Sequence, residues 1–514
     1  MRPVEELVTR ARAAQPAWQG IGFAARARLV KRAAAAMLAD HEAILRLIRE
    51  ESGKHAIEAL MSEALGPLDF VNGWIKVARP ELRRRRLAIP LPFRLLMGKR
   101  AELERVPRGV VGVISPWNYP LGVFFKPVFP ALLSGNAVVV KPSEHTPRCG
   151  AWFVEHLQRV LPVDVVQVAQ GDGAVGRELT EHVDALVFTG SVATGRKVAK
   201  RCGERLIPVS VELGGNDAAI VCADADLVRT AAGVTNWALH NSGQNCGAIE
   251  RVYVVDAIAD RFVAMLRSAF ARLRVGPGAD LDVDVSPMNN AAQLAIVEAH
   301  VADAVEKGAE VLVGGSREGL GELAYPPTLL DRCRHGMRVV DEETFGPVLA
   351  VVRVRDEQEA VRLANESRYG LNASIWTRDV ARGRALAERI DVGTVSLNNH
   401  ALTGAMPVCP WSGTKDSGSG VANSALALQV FTRPKTLLID TSSKPDPFWF
   451  PFDRDLWRIG KDTVDLLLRP LAVVLRPGRL LRFLAAGLRR PKTIRRFFAD
   501  DGRQPSNRRR SARP

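Results

Sequence analysis

The chain has 514 residues, of which 47% are hydrophobic, so it is long enough for two or more domains with large cores. Its net charge of +15 is concentrated at one end, because residues 451–514 contain 17 Lys and Arg but only 6 Asp. The remaining residues carry +4 in total. This distribution argues against nucleic-acid binding by the whole protein and indicates a nearly neutral body with a basic tail.

The cysteine pattern and the N-terminal residues limit the compartment and the metal chemistry. Six cysteines are present, and no two of them form a C-x-x-C pair. We therefore predict reduced thiols, no disulfide framework and no metal site. The first 15 residues are charged and alanine-rich, unlike a signal peptide, and no apolar run is long enough to span a bilayer. These features favour a cytoplasmic protein.

The first hundred residues predict helices followed by a connection. Residues 4–77 carry Ala, Leu and Arg at the spacing of amphipathic helices. The segment 78–107 contains several prolines and the run Arg83–Arg86, which is typical of an extended, exposed connection. The four arginines could bind an anion or a partner, but a solvated loop or hairpin is the more economical interpretation.

A regular series of short apolar segments follows, separated by segments that are compatible with helices. They are VVGVI (110–114), AVVV (137–140), VVQV (165–168), ALVF (185–188) and VSVEL (209–213). Such segments at the spacing of βαβ units are typical of parallel strands buried on both faces. We therefore predict an α/β fold with a doubly wound, parallel nucleotide-binding sheet. A second series after residue 246, namely VYVV, AEVLVGG, VLAVVRV, ASIWT and GTVSLN, predicts a second α/β domain.

One cysteine lies in an unusual environment. Cys246 ends the polar turn NSGQNC, immediately before an apolar segment, whereas Cys222 lies in the apolar segment AIVCAD. A structural cysteine prefers an apolar surrounding, but a reactive thiol needs access and donors that stabilise negative charge. Cys246 is therefore the candidate nucleophile, and Cys222 has the pattern of a buried, inert thiol.

Six segments occur in an order and at a spacing that resemble one family. They are ISPWNYPL (114–121), VVVKPSEHTP (138–147), FTGSVATGR (188–196), VELGGN (211–216), NSGQNC (241–246) and EETFGPVL (342–349). Each is a weak motif alone, but together they resemble the NAD(P)-dependent aldehyde dehydrogenase superfamily, from the first helix to about Asp440. The resemblance implies a cofactor-binding domain over 1–212, with 78–107 as a bridging segment, and a catalytic domain over 213–400. It also implies a small return and oligomerisation element over 401–440, with residues 441–514 as a basic amphipathic tail.

The resemblance assigns roles to three catalytic residues. Cys246 would attack the aldehyde carbonyl and form a thiohemiacetal. The side-chain amide of Asn118 and the backbone N–H of Cys246 would stabilise the oxyanion. Glu212, at the end of a predicted strand and before two glycines, would activate water for hydrolysis of the thioester.

The resemblance also implies a nicotinamide cofactor. Glu144 and Lys141 would meet the adenine ribose, and a carboxylate there favours NAD over NADP, although Lys141 could tolerate the phosphate of NADP. Glu343 and Phe345 would hold the nicotinamide ribose and ring, and Ser191 would lie near the pyrophosphate at a helix start. The other residues expected around the cofactor are Ser115, Pro116, Trp117, Ser143, Gly190, Gly195, Leu213 and Gly214.

Two segments leave the substrate open. PWSGTKDSGSG has Ser412 where the family usually has a glycine, and SLNNHAL (396–402) is a polar cluster where substrate pockets form. A lipophilic or fatty aldehyde and succinate semialdehyde are both compatible with the motifs. An acylating relative is disfavoured by Glu212, and a catalytically silent scaffold is disfavoured because Cys246, Glu212 and Asn118 occur together. The family resemblance implies a homodimer or homotetramer.

The tail after residue 440 allows two interpretations. Leu480, Leu481, Leu484 and Leu488 have helical spacing, with arginines among them and with Pro470 and Pro477 dividing the segment into short pieces. The tail is either an amphipathic contact with the membrane surface or an element that packs on the protein or on a partner subunit. The last residues, from Arg503, have the composition of a disordered segment. Nucleic-acid binding is disfavoured because no stacking aromatics are interleaved with these arginines.

Overall fold

The computed structural model describes residues 2–90, 93–94, 97–468 and 477–499, which divide into two compact units. The first unit comprises 1–83 and 105–434, and the second comprises 84–104 and 435–514. The α-helices are α1 (Val4–Gly20), α2 (Gly22–Ala39), α3 (His41–Ser52), α4 (Ala56–Ala59), α5 (Gly66–Leu82), α6 (Gly122–Leu133), α7 (Pro147–Gln158), α8 (Gly173–His182), α9 (Val192–Glu204), α10 (Leu227–Leu239), α11 (Asp256–Phe270), α12 (Ala291–Glu306), α13 (Arg338–Asp341), α14 (Glu357–Asn365), α15 (Val380–Ala387), α16 (Leu428–Phe431), α17 (Arg454–Leu468) and α18 (Pro477–Ala499). A π-helical turn, Leu60–Ala64, follows α4, and 3-10 turns lie at His240–Gly243, Leu402–Ala405 and Ala425–Ala427.

The strands form four sheets, of which two are large. The strands are β1 (Arg85–Leu87), β2 (Lys99–Pro107), β3 (Val110–Ile114), β4 (Ala137–Lys141), β5 (Val166–Val168), β6 (Ala185–Thr189), β7 (Val209–Glu212), β8 (Asp217–Val221), β9 (Ile249–Val255), β10 (Glu310–Val313), β11 (Thr328–Asp331), β12 (Val348–Val354), β13 (Tyr369–Gly370), β14 (Asn372–Trp376), β15 (Thr394–Leu397), β16 (Thr414–Lys415), β17 (Gly418–Ser419) and β18 (Thr432–Asp440). The short strands β13 and β16 pair with each other.

The predicted nucleotide-binding sheet is present, with the strand order β17-β7-β6-β3-β4-β5. Strands β3 to β7 are parallel, and only β17 pairs antiparallel, with β7. Both faces are covered, because Val138 and Val140 pack into one hydrophobic cluster while Ala137 and Val139 pack into another. This alternation explains why the segment AVVV (137–140) has no polar face.

The second large sheet has the order β10-β11-β12-β9-β8-β14-β15 and is parallel except at β10. All five segments of the second predicted series are strands of it. The sequence analysis did not identify two of its strands, β8 and β11. Strand β8 follows β7 after only four residues, Leu213–Asn216, and therefore continues the chain directly from one sheet to the other. The proposed domain limits at residues 212 and 400 stay a prediction.

The bridging segment and the tail need corrections. Residues 78–82 belong to α5 and not to an extended connection, whereas β1 pairs antiparallel with β2, as the hairpin interpretation of this segment predicts. The arginines 83–86 are exposed. In the described residues the tail contains α17 and α18, of 15 and 23 residues; α18 begins at Pro477, one of the two predicted points of division, but continues through Pro491, so this piece is longer than predicted. Pro470 and the segment from Arg503 lie outside the described residues. Within those residues, no helix has both the length and the apolar character needed to cross a membrane.

Candidate active site

The turn before Cys246 is tightly constrained. Asn241 and Ser242 have left-handed backbone angles, with φ of 58° and 55°, and both are buried. A Cβ atom on Gly243 would lie 2.0 Å from the carbonyl oxygen of Gly346, so only glycine fits at that position. The polar side chains of this turn form hydrogen bonds within the protein. The turn places Cys246 just before β9 of the second large sheet.

The thiol of Cys246 contacts the predicted base. Its Sγ lies 3.3 Å from Oε1 of Glu212 in a hydrogen bond. Burial and the neighbouring Glu212 carboxylate raise the pKa of Cys246 well above its ordinary value. The resting form is therefore a thiol with a carboxylate in position to accept its proton.

Glu212 ends β7, and one residue separates it from the glycine pair predicted to turn the chain. Gly214 has a φ of 85°, which favours glycine. The carboxylate also accepts a hydrogen bond from the indole Nε1 of Trp411, at 2.8 Å from the same Oε1 atom. Sequence reasoning missed Trp411, although it occurs in the PWSG segment whose serine was noted.

Asn118 lies in the same cavity as Cys246 and Glu212. Its side chain is buried, and Nδ2 donates one hydrogen bond to the carbonyl oxygen of Gln244, at 3.1 Å. An amide nitrogen carries two hydrogens, so the second is available for an oxyanion beside Cys246. The structure thus brings the three predicted catalytic side chains together.

A buried ion pair supports the loop that carries Asn118. Lys54 and Glu63 form a salt bridge with side-chain exposures of 1% and 0%. The second oxygen of Glu63 accepts the backbone N–H groups of Leu121 and Gly122, at 2.8 and 3.2 Å, where α6 begins. The ammonium group of Lys54 also lies 3.8 Å from the ring centre of Tyr119. Lys54 lies between α3 and α4, and Glu63 lies in the π-helical turn. No local sequence pattern indicates that these two side chains pair, so the salt bridge was not predicted.

The residues predicted to hold the nicotinamide are fixed by a second acidic side chain that the sequence analysis did not identify. Glu250, on β9, accepts the backbone N–H groups of Thr344 and Phe345, each at 2.7 Å. Phe345 has a φ of 52°, and its ring contacts that of Trp117 edge to face, with centroids 5.6 Å apart. Glu343 accepts a bond from the backbone N–H of Gly215, at 2.9 Å. The signal that could have singled out Glu250 is a glutamate inside a strand that is buried over its whole length.

The remaining predicted cofactor residues fall into three groups. Pro116, Trp117, Gly190, Ser191, Gly214, Glu343 and Phe345 line the cavity with the catalytic residues. Lys141 ends β4, Ser143 and Glu144 follow it, and none of the three lines that cavity; Lys141 and Glu144 form a salt bridge at 2.9 Å. Ser115, Gly195 and Leu213 are buried beside it, and a Cβ on Gly195 would lie 2.0 Å from Leu213.

The three predicted catalytic residues line a cavity of about 750 Å³. The aromatic side chains of its wall include Phe70, Trp74, Phe125, Trp237 and Trp411, of which Trp237 and Trp411 pack in one cluster with Cys246. Three further lining side chains, Met61, Leu65 and Leu402, are 63%, 42% and 45% exposed. In the described residues no group of three or more His, Cys, Asp or Glu side chains is arranged to hold a metal ion.

Comparisons with known proteins agree on one family. A model of the aldehyde dehydrogenase family matches residues 2–437. A 4,4'-diapolycopene aldehyde oxidase of Methylomonas sp is 38% identical over 467 residues, which are 90% of this chain and 87% of that protein. A protein of Mycobacterium ulcerans, provisionally named an NADP-type succinate-semialdehyde dehydrogenase, is 37% identical over 86% of each chain. The structure of PutA from Anabaena variabilis, provisionally an aldehyde dehydrogenase, superimposes with a TM-score of 0.81 at 35% identity, over 87% of this chain and 95% of that one.

Proposed function

Because the chain belongs to the aldehyde dehydrogenase family, we propose that it oxidises a lipophilic aldehyde to the carboxylic acid, with NAD or NADP as the oxidant. The observation that carries the substrate class is the wall of the cavity beside Cys246, which is built mainly from aromatic and aliphatic side chains. An apolar wall gains free energy from each methylene that it removes from water, and it offers little to a charged substrate.

The first half-reaction begins with the thiol. Glu212 accepts the proton of Cys246 as Sγ bonds to the aldehyde carbon, and the carbonyl oxygen becomes an oxyanion. Asn118 Nδ2 and the backbone N–H of Cys246 donate hydrogen bonds to that oxygen. When bound, the oxidised nicotinamide supplies the acceptor for the hydride, which leaves an acyl thioester on Cys246.

The second half-reaction releases the acid. Glu212 first releases to solvent the proton that it took from Cys246, and the regenerated carboxylate then takes a proton from a water molecule as the water oxygen bonds to the thioester carbon; this second proton passes to the Sγ of Cys246 when the thiolate leaves. The bond to Sγ then breaks, and the carboxylic acid leaves. Cys246, Glu212 and Asn118 are all present in one cavity, which disfavours a catalytically silent scaffold.

The residues around the cavity fit a nicotinamide dinucleotide. Ser191 precedes α9 and lines the cavity, so the positive end of a 13-residue helix faces the space expected for the pyrophosphate. One oxygen of Glu343 is fixed by Gly215, and the other is left to accept a bond from a ribose hydroxyl. Glu144, half-exposed beside Lys141, favours NAD, while Lys141 gives NADP a charge partner.

Succinate semialdehyde is the second candidate, because a relative carries that name. Such a substrate needs a cation for its distal carboxylate. Among the described residues that line the cavity, Lys126 is the one Lys or Arg, and Asp69 also lines it. The cavity wall is rich in aromatic side chains, and the apolar side chains of Met61, Leu65 and Leu402 also line it. These features favour an aldehyde with a longer, uncharged chain over succinate semialdehyde, which is short and charged.

The test is NADH formation with straight-chain aldehydes from four to twelve carbons, compared with succinate semialdehyde, each with NAD and with NADP. We expect kcat/KM to rise about fourfold per added methylene until the cavity is filled. Cys246→Ala should abolish NADH formation and retain cofactor binding. A flat response to chain length, or a preference for succinate semialdehyde, would reject the lipophilic substrate.

We also propose that the second unit contacts an anionic membrane surface. The buried guanidinium of Arg490 donates to the carbonyl oxygens of Pro447, Trp449 and Pro451 and forms an ion pair with Asp453 at 2.8 Å. These bonds close the segment 447–453 around Arg490. Trp449, Phe450 and Phe452 in that segment remain 54%, 60% and 70% exposed. Aromatic side chains that are displayed beside basic residues are typical of the membrane interface.

The helices of the tail add apolar stripes. On α17, Trp457, Val464 and Leu468 share one exposed face, while Ile459 on the opposite side is buried. On α18, Leu481, Leu484 and Leu488 are exposed, opposite the buried residues Ala486, Arg490 and Ile494. From residue 451 onward the chain contains 17 Lys and Arg but 6 Asp, and this net positive charge complements the negative charge of anionic lipid.

Sedimentation with lipid vesicles tests this contact. The full chain should bind vesicles that contain phosphatidylglycerol and bind less to pure phosphatidylcholine, and Phe450→Ser with Phe452→Ser should weaken binding about tenfold. Val163→Ser, an exposed apolar residue of the first unit, is the matched control. Equal binding by the double variant and the native chain would reject the proposal. The homodimer or homotetramer stays a prediction, to be measured by sedimentation velocity.

A further inference from the structure

We infer that Trp411 is a positioning residue whose indole N–H holds the Glu212 carboxylate for the hydrolytic half of the reaction. This inference rests on the proposed function, because it assigns a role within the aldehyde oxidation described above. It concerns one hydrogen bond, from Nε1 of Trp411 to Oε1 of Glu212, at 2.8 Å.

The indole itself is firmly held. The backbone N–H and carbonyl of Trp411 exchange two 2.7 Å hydrogen bonds with Ala422, and the residue is only 7% exposed. Its ring packs with Leu371 and Ala401 in a small hydrophobic cluster against Cys246. A donor with so little freedom fixes the atom to which it is bonded, since an acceptor that moves away leaves a buried N–H without a partner.

The glycines around the ring show how closely it is fitted. A Cβ on Gly247, the residue after the nucleophile, would lie 3.2 Å from the indole ring, and a Cβ on Gly404 would lie 3.3 Å from it. Both positions therefore keep space for the indole beside the reacting sulfur. The ring is part of the wall that the substrate meets, and its nitrogen is directed to the base.

Two donors share one oxygen of the base. Cys246 Sγ and Trp411 Nε1 both bond to Oε1 of Glu212. In the described part of the chain neither of these donors uses Oε2, so that oxygen is the one left to accept a proton from water. After Cys246 becomes acylated it can no longer donate, and Trp411 remains as the fixed donor that keeps the carboxylate beside the thioester.

The consequence is a selective effect on the two half-reactions. Thioester formation has the Cys246–Glu212 contact to align its groups, whereas hydrolysis depends on Trp411 for the position of the base. A catalytic group that is displaced by about 1 Å can lose about a hundredfold in rate. Loss of the indole donor should therefore slow hydrolysis and leave the first hydride transfer nearly unchanged.

The experiment compares Trp411→Phe and Trp411→His in the full chain with decanal and NAD. Both substitutions remove the six-membered part of the indole, but an imidazole can place an N–H where the indole nitrogen lies, and a phenyl ring cannot. We expect Trp411→Phe to retain a rapid burst of about one NADH per active site and to lower the steady-state rate about ten- to hundredfold. Trp411→His should recover at least a third of the native steady-state rate. The KM for NAD should remain within about twofold of the native value in both.

The matched control is Trp376→Phe, which removes an indole donor that bonds to Ser374 in the second sheet, away from the cavity. It should leave the ratio of burst rate to steady-state rate unchanged. Equal loss in the Phe and His variants, or a parallel loss of burst and steady state in Trp411→Phe, would overturn the positioning role. Failure of the native chain to form NADH from any aldehyde would instead reject the proposed function itself, so the two failures are distinguishable.

Discussion

Removal of Lys54 should destabilise the loop that carries Asn118. The Lys54→Met variant would leave the carboxyl group of Glu63 without its cation in a site where the Glu63 side chain is 0% exposed. Two backbone N–H groups, of Leu121 and Gly122, would be its remaining donors. A buried charge that loses its partner costs about 3–5 kcal/mol, and these two bonds place the expected loss near the lower value, at about 3 kcal/mol. The start of α6 should shift with Glu63, so Asn118 should stabilise the oxyanion less well.

The assay is unfolding in urea, followed by tryptophan fluorescence, together with the rate of NADH formation on the same samples. Lys54→Met should lower both the unfolding free energy and the burst rate. The double variant, Lys54→Met with Glu63→Gln, removes both charges and should recover at least half of the lost stability. Lys31→Met, on the exposed face of α2, is the control and should change stability by less than about 0.5 kcal/mol. A loss below about 1 kcal/mol in Lys54→Met, or strictly additive losses in the double variant, would refute the reasoning.

Four other predictions follow from the site. Glu212→Gln should give an NADH burst followed by steady turnover reduced at least about a hundredfold, and a proportional loss of both phases in stopped-flow absorbance would reject its role as the base for water. Gly243→Ala should abolish turnover, since its Cβ would lie 2.0 Å from a backbone oxygen; native-like activity in a folded variant would contradict this. Glu144→Ala should lower the ratio of kcat/KM for NAD to that for NADP about tenfold, and an unchanged ratio would remove Glu144 from cofactor selection. Burial raises the pKa of Glu250 to about 8, so the folded chain keeps a proton that the unfolded chain loses near its ordinary value of 4.5. The free energy of unfolding of the native chain should therefore fall as the pH rises from about 4.5 to about 8, and it should fall less steeply in Glu250→Gln. Urea titrations that give the same pH dependence for both proteins would count against this prediction.

Local pattern was sufficient for most strands and for the catalytic turn. The strand segment 137–140 is apolar throughout because both faces of the sheet are covered, and that burial is encoded in consecutive residues. Cys246 stood out for a similar reason, because a thiol among small polar residues contradicts the ordinary preference of cysteine for an apolar surrounding. Strand β8 was not predicted because it follows β7 after four residues, and the turn pattern that separates the two strands is no longer than the glycine pair.

The sequence by itself determined the α/β class, most of the strands and the order of the motifs that identify the family, since each depends on residues that are neighbours in the chain. Only the tertiary structure decided which groups meet at the site. Trp411 lies 199 residues from Glu212, and Glu250 lies 94 residues from Thr344. The salt bridge of Lys54 with Glu63 supports backbone groups that lie 58 and 59 residues further along the chain. Hydrogen bonds and ion pairs act over about 3 Å in space, so side chains that are distant in sequence become partners only when the sheets and helices bring them together.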